Sequence, residues 1–333
     1  MKVDILLATY NGEKYLEQQI NSILNQTYSD FNLIISDDNS LDNTIAILKE
    51  FEKKDERIKV FYQKVNLGYI KNFEFLIKKS TNNYVMLSDQ DDVWEINKIK
   101  FQLKYLLSSK ADLIYSDVQL VNHNLELIDE SYYKSLKISP LNGKMWKNML
   151  FRNPIIGNTV MLKKELLDEV KEIPKEIPHD WYLGIIASMK NGVKFQTVPL
   201  TKYRIHSSNT SGVSTNINSL KYKFLKFSYE DFIDWRYELL RERIEFLYII
   251  EKNLQFRDEY KKQYNYIQKY IKYLNKLVDK KILNLNIFDF FKYGRYIDIK
   301  ILNKVAFLFI FHVPCGFNLL LLINKMLKYE KEI

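Results

Sequence analysis

The 333-residue chain has a single cysteine, Cys315, which excludes an internal disulfide and any multi-cysteine metal site. That usage suits a reducing compartment. Nine glycines and six prolines exclude collagen-like and low-complexity architectures. The chain contains no G-x-x-x-x-G-K-[ST] and no G-x-G-x-x-G, so neither a P-loop nor a dinucleotide fingerprint is present. Met1–Tyr10 has one lysine and a short apolar run, then polar Asn11-Gly12-Glu13-Lys14, which does not read as a signal peptide. No repeat of solenoid length is visible.

What is present is enough for a sizeable core. Apolar residues make up 47% and charged residues 27%, which excludes a disordered chain. The net charge of +9 is unevenly placed: residues 1–219 are near neutral at +1, and residues 220–333 carry +8. More than half of the aromatic side chains fall in that last third. The shift follows the polar stretch Ser207–Ser219 and predicts two parts, residues 1–215 and 216–333.

The first part alternates between short apolar runs and amphipathic stretches. Strands are expected at Val3–Ala8, Phe31–Ser36, Ile58–Tyr62, Tyr84–Ser88 and Asp112–Tyr115. Helices are expected at Glu13–Asn25, Leu41–Lys54 with Ser40 as cap, Tyr69–Lys79 and Val93–Leu107. That rhythm predicts an α/β fold with a mostly parallel sheet covered on both faces, whose ligands bind beyond the carboxyl ends of the strands. The residues there are Thr9-Tyr10-Asn11-Gly12, Asp37-Asp38-Asn39-Ser40, Asn66-Leu67-Gly68 and Asp89-Gln90-Asp91-Asp92. Turn chemistry accounts for the Asn, Gly and Ser. It does not account for five carboxylates on one sheet edge, which repel one another unless a cation sits among them. Oxygen ligands favour Mg²⁺ or Mn²⁺, whose usual cargo is a diphosphate.

Ala8-Thr9-Tyr10-Asn11-Gly12, Ser22-Ile23-Leu24-Asn25-Gln26-Thr27-Tyr28, Asp37-Asp38-Asn39-Ser40 and Ser88-Asp89-Gln90-Asp91-Asp92-Val93-Trp94 resemble the family 2 inverting glycosyltransferases of the GT-A fold. His179-Asp180-Trp181 and Tyr203-Arg204-Ile205-His206-Ser207-Ser208-Asn209 are similar to its bacterial rhamnosyltransferase-like subgroup. The resemblance covers roughly residues 1–215 and implies transfer of a sugar from a nucleotide diphosphate donor to an acceptor hydroxyl. By it, Asp91 ligates Mn²⁺ or Mg²⁺, with Asp89 on the ribose or the metal shell and His206 as a further ligand. Asp92 immediately precedes the expected Val93–Leu107 helix and reads first as its cap. Tyr10 and Asp38 match positions that bind a pyrimidine base, with Thr9 and Asn11 beside them, while Asp37 reads as a turn residue. Asn66 and Gly68 are expected to shape the loop near the ribose, and Arg204 and Lys98 to reach phosphates. Asp180 matches the catalytic carboxylate, a single base that gives inversion. Trp94 and Trp181 are candidates for the sugar platform, with core packing as the rival.

The last third interleaves Tyr260, Tyr264, Tyr266, Tyr270 and Tyr273 with lysines, which reads as helices on an anionic membrane surface or as a packed helical subdomain, and not as a nucleic-acid site. Val305–Ile323 is the most apolar stretch and is broken by Pro314, Gly316 and Asn318, which suggests insertion in the membrane plane. These features predict a cytoplasmic protein, peripheral on the inner face of the cell membrane. The acceptor is expected to be a saccharide or a lipid-linked oligosaccharide. The best donor is dTDP-rhamnose, with UDP-glucose or UDP-galactose fitting the same motifs. There is no Q-x-x-R-W motif, so processive polymerisation is not expected. A nucleotidyltransferase would want a basic Gly-rich loop after the first strand, and a non-catalytic nucleotide-sugar binder would not need Asp180.

Overall fold

A computed structural model describes residues 1–206, 229–255 and 257–279. Contacts divide the chain into two units, Met1–Val213 and Ser214–Ile333. The first unit is α/β, a central sheet flanked by helices. Its elements are β1 (Val3–Thr9), α1 (Leu16–Leu24), β2 (Phe31–Asp37), α2 (Thr44–Lys54), β3 (Ile58–Tyr62), α3 (Tyr69–Lys79), β4 (Tyr84–Ser88) and β5 (Val93–Trp94). They continue through α4 (Lys98–Ser108), β6 (Leu113–Ser116), β7 (Gln119–Val121), β8 (Leu127–Asp129), α5 (Tyr132–Ser135), α6 (Trp146–Met149) and β9 (Met161–Lys163). The unit ends with α7 (Lys164–Asp168), α8 (His179–Met189), β10 (Val193–Gln196) and β11 (Thr201–Arg204).

Seven strands form the main sheet in the order β10-β6-β9-β4-β1-β2-β3. β1 pairs in parallel with both β2 and β4, and β9 alone runs antiparallel to its neighbours. The central strands are buried nearly end to end, as strands covered by helices on both faces must be. Leu16, Ile20 and Ile23 of α1 recur at helical spacing and pack with Ile5, Leu7, Leu33 and Ile35 in one core cluster. A smaller sheet, β5-β11-β7-β8, carries the C-terminal end of the unit back beside the β4 loop.

One predicted helix is shorter than its hydrophobic pattern. Val93–Trp94 pairs antiparallel with Thr201 and Lys202, and the helix starts only at Lys98. Pairing with β11 uses the backbone groups that a helical first turn would have used, and Trp94 sinks into the core at 4% exposure. Ser40 does not cap α2, whose N-cap is Asn43. Its hydroxyl donates instead to Asp37 Oδ1 at 2.6 Å and so closes the turn after β2.

In the second unit the described residues form two helices, α9 (Tyr229–Leu254) and α10 (Lys261–Asp279), joined through a short 3₁₀ turn at Asp258–Tyr260. Tyr260, Ile267, Tyr270, Ile271 and Leu274 are buried, as are Ile244, Leu247, Ile250 and Leu254. Tyr260 and Tyr270 therefore belong to a packed interior and not to a lipid-facing belt, while Lys261, Lys262, Lys269 and Lys272 are exposed. Among the described residues no helix is long and apolar enough to cross a membrane. Val305–Ile323, Pro314, Cys315 and the rest of the predicted in-plane segment lie outside the described residues.

Asp4 shows how one buried carboxylate fixes the sheet that carries the loops. Wholly buried in β1, it accepts from the backbone N–H of Thr81 (2.7 Å) and Asn82 (2.8 Å) and from the side-chain amides of Asn82 and Asn32. Asp4→Ala leaves four donors without an acceptor, two of them backbone. It is expected to lower stability by about 2–4 kcal/mol, read as a fall in the urea midpoint with an unchanged slope.

Candidate active site

The site grows from the carboxyl ends of β1, β2, β3 and β4. After β1, Thr9 is buried and its hydroxyl donates to Asp37 Oδ1 at 3.1 Å. Asn11 takes the left-handed region at φ 47°. Its N–H donates to Ser40 Oγ and its side-chain oxygen accepts from Leu41 N. These bonds tie the β1 loop to the β2 loop and leave Tyr10 43% exposed. Asp37 is a buried turn acceptor.

Asp38 is not a free carboxylate at the cleft. It is 2% exposed, with Oδ1 accepting from Leu67 N at 2.7 Å and Oδ2 from Gly68 N at 2.9 Å. Its role in the structure is to pin the β3–α3 loop. Asn66 joins it, donating to Asp38 O and accepting from Gly68 N. Gly68 holds φ 78°, which a side chain would strain, and so turns the chain into α3.

The loop after β4 places its carboxylates in three different settings. Asp91 faces His206, with Oδ2 to Nε2 at 2.9 Å. Asp92 is fully buried, accepting from Arg204 N at 3.0 Å and from the Asn158 side chain, and its pKa is driven well above the ordinary carboxylate range by burial and by its acidic neighbours. It therefore does not cap α4. Asp89 is half-buried, and burial together with the charges of Asp91 and Asp180 pushes its pKa up to about 7. Gln90 pairs with the Tyr10 backbone twice, accepting from N–H at 2.9 Å and donating to the carbonyl at 3.0 Å. Gly12 is what lets it approach, because a Cβ there would lie 2.3 Å from Gln90 Oε1.

Three expected ligand contacts fall inside the protein instead. Arg204 is 1% exposed and its guanidinium donates to Asp91 O (2.7 Å), His123 O (2.6 Å) and Gln18 Oε1 (2.8 Å), with its face over the Tyr15 ring. Lys98 is fully buried and donates to Asn158 O at 2.5 Å and Thr201 Oγ1 at 2.6 Å, and burial lowers its pKa to about 7. Trp94 lies in the core beneath that ammonium, 4.1 Å from ring centre to Nζ. Arg204 and Lys98 therefore stabilise the acidic loop from behind, and Trp94 is not a sugar platform.

Facing the loop, α8 begins at His179 with Pro178 as its N-cap, so Asp180 sits inside the first turn. Asp180 Oδ1 accepts from Trp181 N at 2.6 Å and from Asn153 Nδ2 at 3.2 Å. Burial raises its pKa to about 6, against the pull of these donors. Gly157 passes close by, and a Cβ there would lie 3.6 Å from Asp180 Oδ2. Trp181 is half-buried and its indole N–H donates to Met149 O at 2.6 Å. Asp89 and Asp91 thus share the β4 loop with His206 against Asp91 and Tyr10 held by Gln90, while Asp180 stands opposite on α8, where its charge acts on Asp89. Sequence reasoning missed Gln90, Asn153, Tyr69 and Tyr15, whose ring packs 5.1 Å from that of His206. Tyr69, directly after Gly68, stands where strand-end reasoning looks.

Among the described residues no group of three or more His, Cys, Asp or Glu is arranged to hold a metal ion, so Asp89 does not join Asp91 and His206 in a ready-made cluster. The Asp91–His206 pair supplies one hard oxygen and one imidazole nitrogen side by side. That set fits Mn²⁺ or Mg²⁺ when oxygen ligands from elsewhere complete the shell.

Burial separates Trp94 from Tyr10 experimentally. Trp94→Ala is expected to cost about 3–5 kcal/mol of stability by emptying the core, whereas exposed Tyr10→Ala stays within about 0.5 kcal/mol. Paired urea titrations check both.

The Glycosyl transferase family 2 profile matches residues 4–169. The dTDP-rhamnosyl transferase RfbG of Shigella flexneri is 32% identical over 236 residues, covering 66% of this chain and 78% of that protein. The UDP-Glc:alpha-D-GlcNAc-diphosphoundecaprenol beta-1,3-glucosyltransferase WfgD of Escherichia coli is 28% identical, covering 70% and 87%. Among solved structures, S. aureus TarS 1-349 in complex with UDP-GlcNAc matches with a TM-score of 0.53 at 19% identity, over 78% of this chain and 72% of that one. That likeness is one of fold, and it is the GT-A fold. With the sheet edge and the sequence relatives in agreement, the chain belongs to the family 2 glycosyltransferases.

Proposed function

We propose that this glycosyltransferase moves a sugar from a nucleotide diphosphate to an acceptor hydroxyl with inversion, in the assembly of a cell-surface polysaccharide. The carrying observation is that Asp180 on α8 faces the β4 loop closely enough for its charge to raise the pKa of Asp89. Two acidic groups across one cleft suit two roles, proton removal on one side and diphosphate binding on the other. Asp180 takes the acceptor hydroxyl proton. Its pKa of about 6 leaves it mostly ionised above neutrality and still basic enough to work. Asn153 and the Trp181 N–H orient it. Asp91 and His206 would hold Mn²⁺ or Mg²⁺, with Asp89 beside them. Such an ion, when bound, neutralises charge on the departing diphosphate. Tyr10, held by Gln90, offers an exposed ring for a pyrimidine base. The loop pinned by Asp38, Asn66 and Gly68 borders the ribose side.

The preferred donor is dTDP-rhamnose, supported by the similarity to RfbG. WfgD, named for UDP-glucose and a diphosphoundecaprenol acceptor, supports UDP-glucose as the alternative and a lipid-linked saccharide as acceptor. The exposed lysines of α10 suit a protein working at the inner face of the membrane.

Incubation with dTDP-rhamnose, UDP-glucose or UDP-galactose and Mn²⁺ is expected to release the nucleoside diphosphate. Asp91→Ala and Asp180→Asn are each expected to lower release by about 10²–10⁴-fold. Wild-type release by either variant, or pyrophosphate as the product, refutes the assignment.

The pH profile of kcat is expected to lose tenfold per unit below about pH 6, as Asp180 takes up a proton. A rate independent of pH between 7 and 4 removes Asp180 from the base role.

A further inference from the structure

Tyr69 opens α3 directly after Gly68, at the cleft rim, and remains 42% exposed although it is a large aromatic. Its backbone start is fixed, because both Asp38 oxygens hold the two preceding N–H groups. Its ring meets His179 edge-on, with centroids 6.0 Å apart and planes at 70°. His179 in turn stacks on Phe73, one turn further along α3, at 3.9 Å and 21°. The imidazole is 5% exposed and neither ring nitrogen has a hydrogen-bond partner. Burial lowers its pKa to about 3, so it is neutral. It is therefore held by its faces and edges alone, as a flat spacer between α3 and α8.

We propose that the Tyr69 hydroxyl contacts the transferred sugar between Asp89 and Asp180, and that His179 is the positioning residue that sets its ring. This rests on the glycosyl-transfer reading above. Asp180 follows His179 directly in the first turn of α8, so the Tyr69 ring that packs on His179 stands beside the Asp180 carboxylate, and the charges of Asp180 and Asp89 both act on its hydroxyl. Burial and these charges hold its pKa above the ordinary phenol value, so it stays protonated and serves as a donor, not as a base. A sugar hydroxyl is the matching acceptor. The proposed contact is to the sugar and not to the nucleoside diphosphate, so its contribution is separable from base and phosphate binding.

The test compares Tyr69→Phe with wild type for binding, by calorimetry with Mn²⁺, of dTDP-rhamnose and UDP-glucose and of dTDP and UDP. Loss of one neutral hydrogen bond is expected to weaken binding of the productive nucleotide sugar about 3- to 10-fold and to leave the bare diphosphate within about twofold. KM for the donor should rise with it. His179→Ala should reproduce the selective loss and His179→Phe should largely restore it, because the stack and not the nitrogens does the positioning. Equal affinities for wild type and Tyr69→Phe overturn the contact, and an equal loss for sugar nucleotide and bare diphosphate overturns it too. If His179→Phe loses as much as His179→Ala, the spacer role falls. A wild-type protein that neither binds nor turns over any nucleotide sugar overturns the transferase reading itself, a result distinct from these.

Discussion

Three carboxylates within four residues can share one loop only if each has a different environment. Asp92 is turned inward onto the Arg204 N–H and Asn158, Asp91 meets His206, and Asp89 stays at the cleft. Like charges this close repel by amounts that rise steeply as water is removed. The structure answers from behind. The guanidinium of Arg204 donates to the Asp91 carbonyl, and the ammonium of Lys98 lies buried where it feels both Asp89 and Asp92. Both cations are stacked on aromatic faces, Tyr15 and Trp94, so neither relies on solvent. The candidate site depends on this loop being held in one conformation from its buried side.

The same bonding pattern joins the loop to the rest of the edge. Gln90 reads the Tyr10 peptide as a neighbouring strand would, and Gly12 leaves the room. Arg204 reaches from β11 to α1, through Gln18, and to the β7 end, through His123 O. His206, two residues further, is thereby delivered beside Asp91. The short second sheet thus positions the site, because β5 and β11 pair so that the end of the unit returns to the β4 loop.

Much of this is legible in the sequence. The alternation of buried apolar runs with helical spacing yields the strand and helix order from β1 to β4, because central parallel strands must be continuous in apolar residues. Strand-end reasoning picks out the loops that line the cleft. What it cannot supply is direction. Trp94 and Lys98 stand next to the acidic motif in sequence and Arg204 beside the His206 motif, yet all three are buried, Trp94 on β5, Lys98 in the first turn of α4 and Arg204 at the end of β11. Adjacency along a chain fixes neither face nor depth. Asp38 shows the same limit. Its place at a strand end is evident from the pattern, but both oxygens are taken by the amides of residues 67 and 68, a partnership about 30 residues away that no local pattern announces.

His179 illustrates a residue whose chemistry is suppressed by its setting. A histidine beside a carboxylate can exchange protons with it, and protonated it would pull Asp180 toward a lower pKa. Here the imidazole is sealed between Phe73 and Tyr69 with both nitrogens dry, so it adds no charge. Asp180 keeps the raised pKa that burial gives it, and Arg204 and Lys98 lie buried behind the acidic loop. The protonation of each of these groups is thus set by which side chains are allowed to meet water.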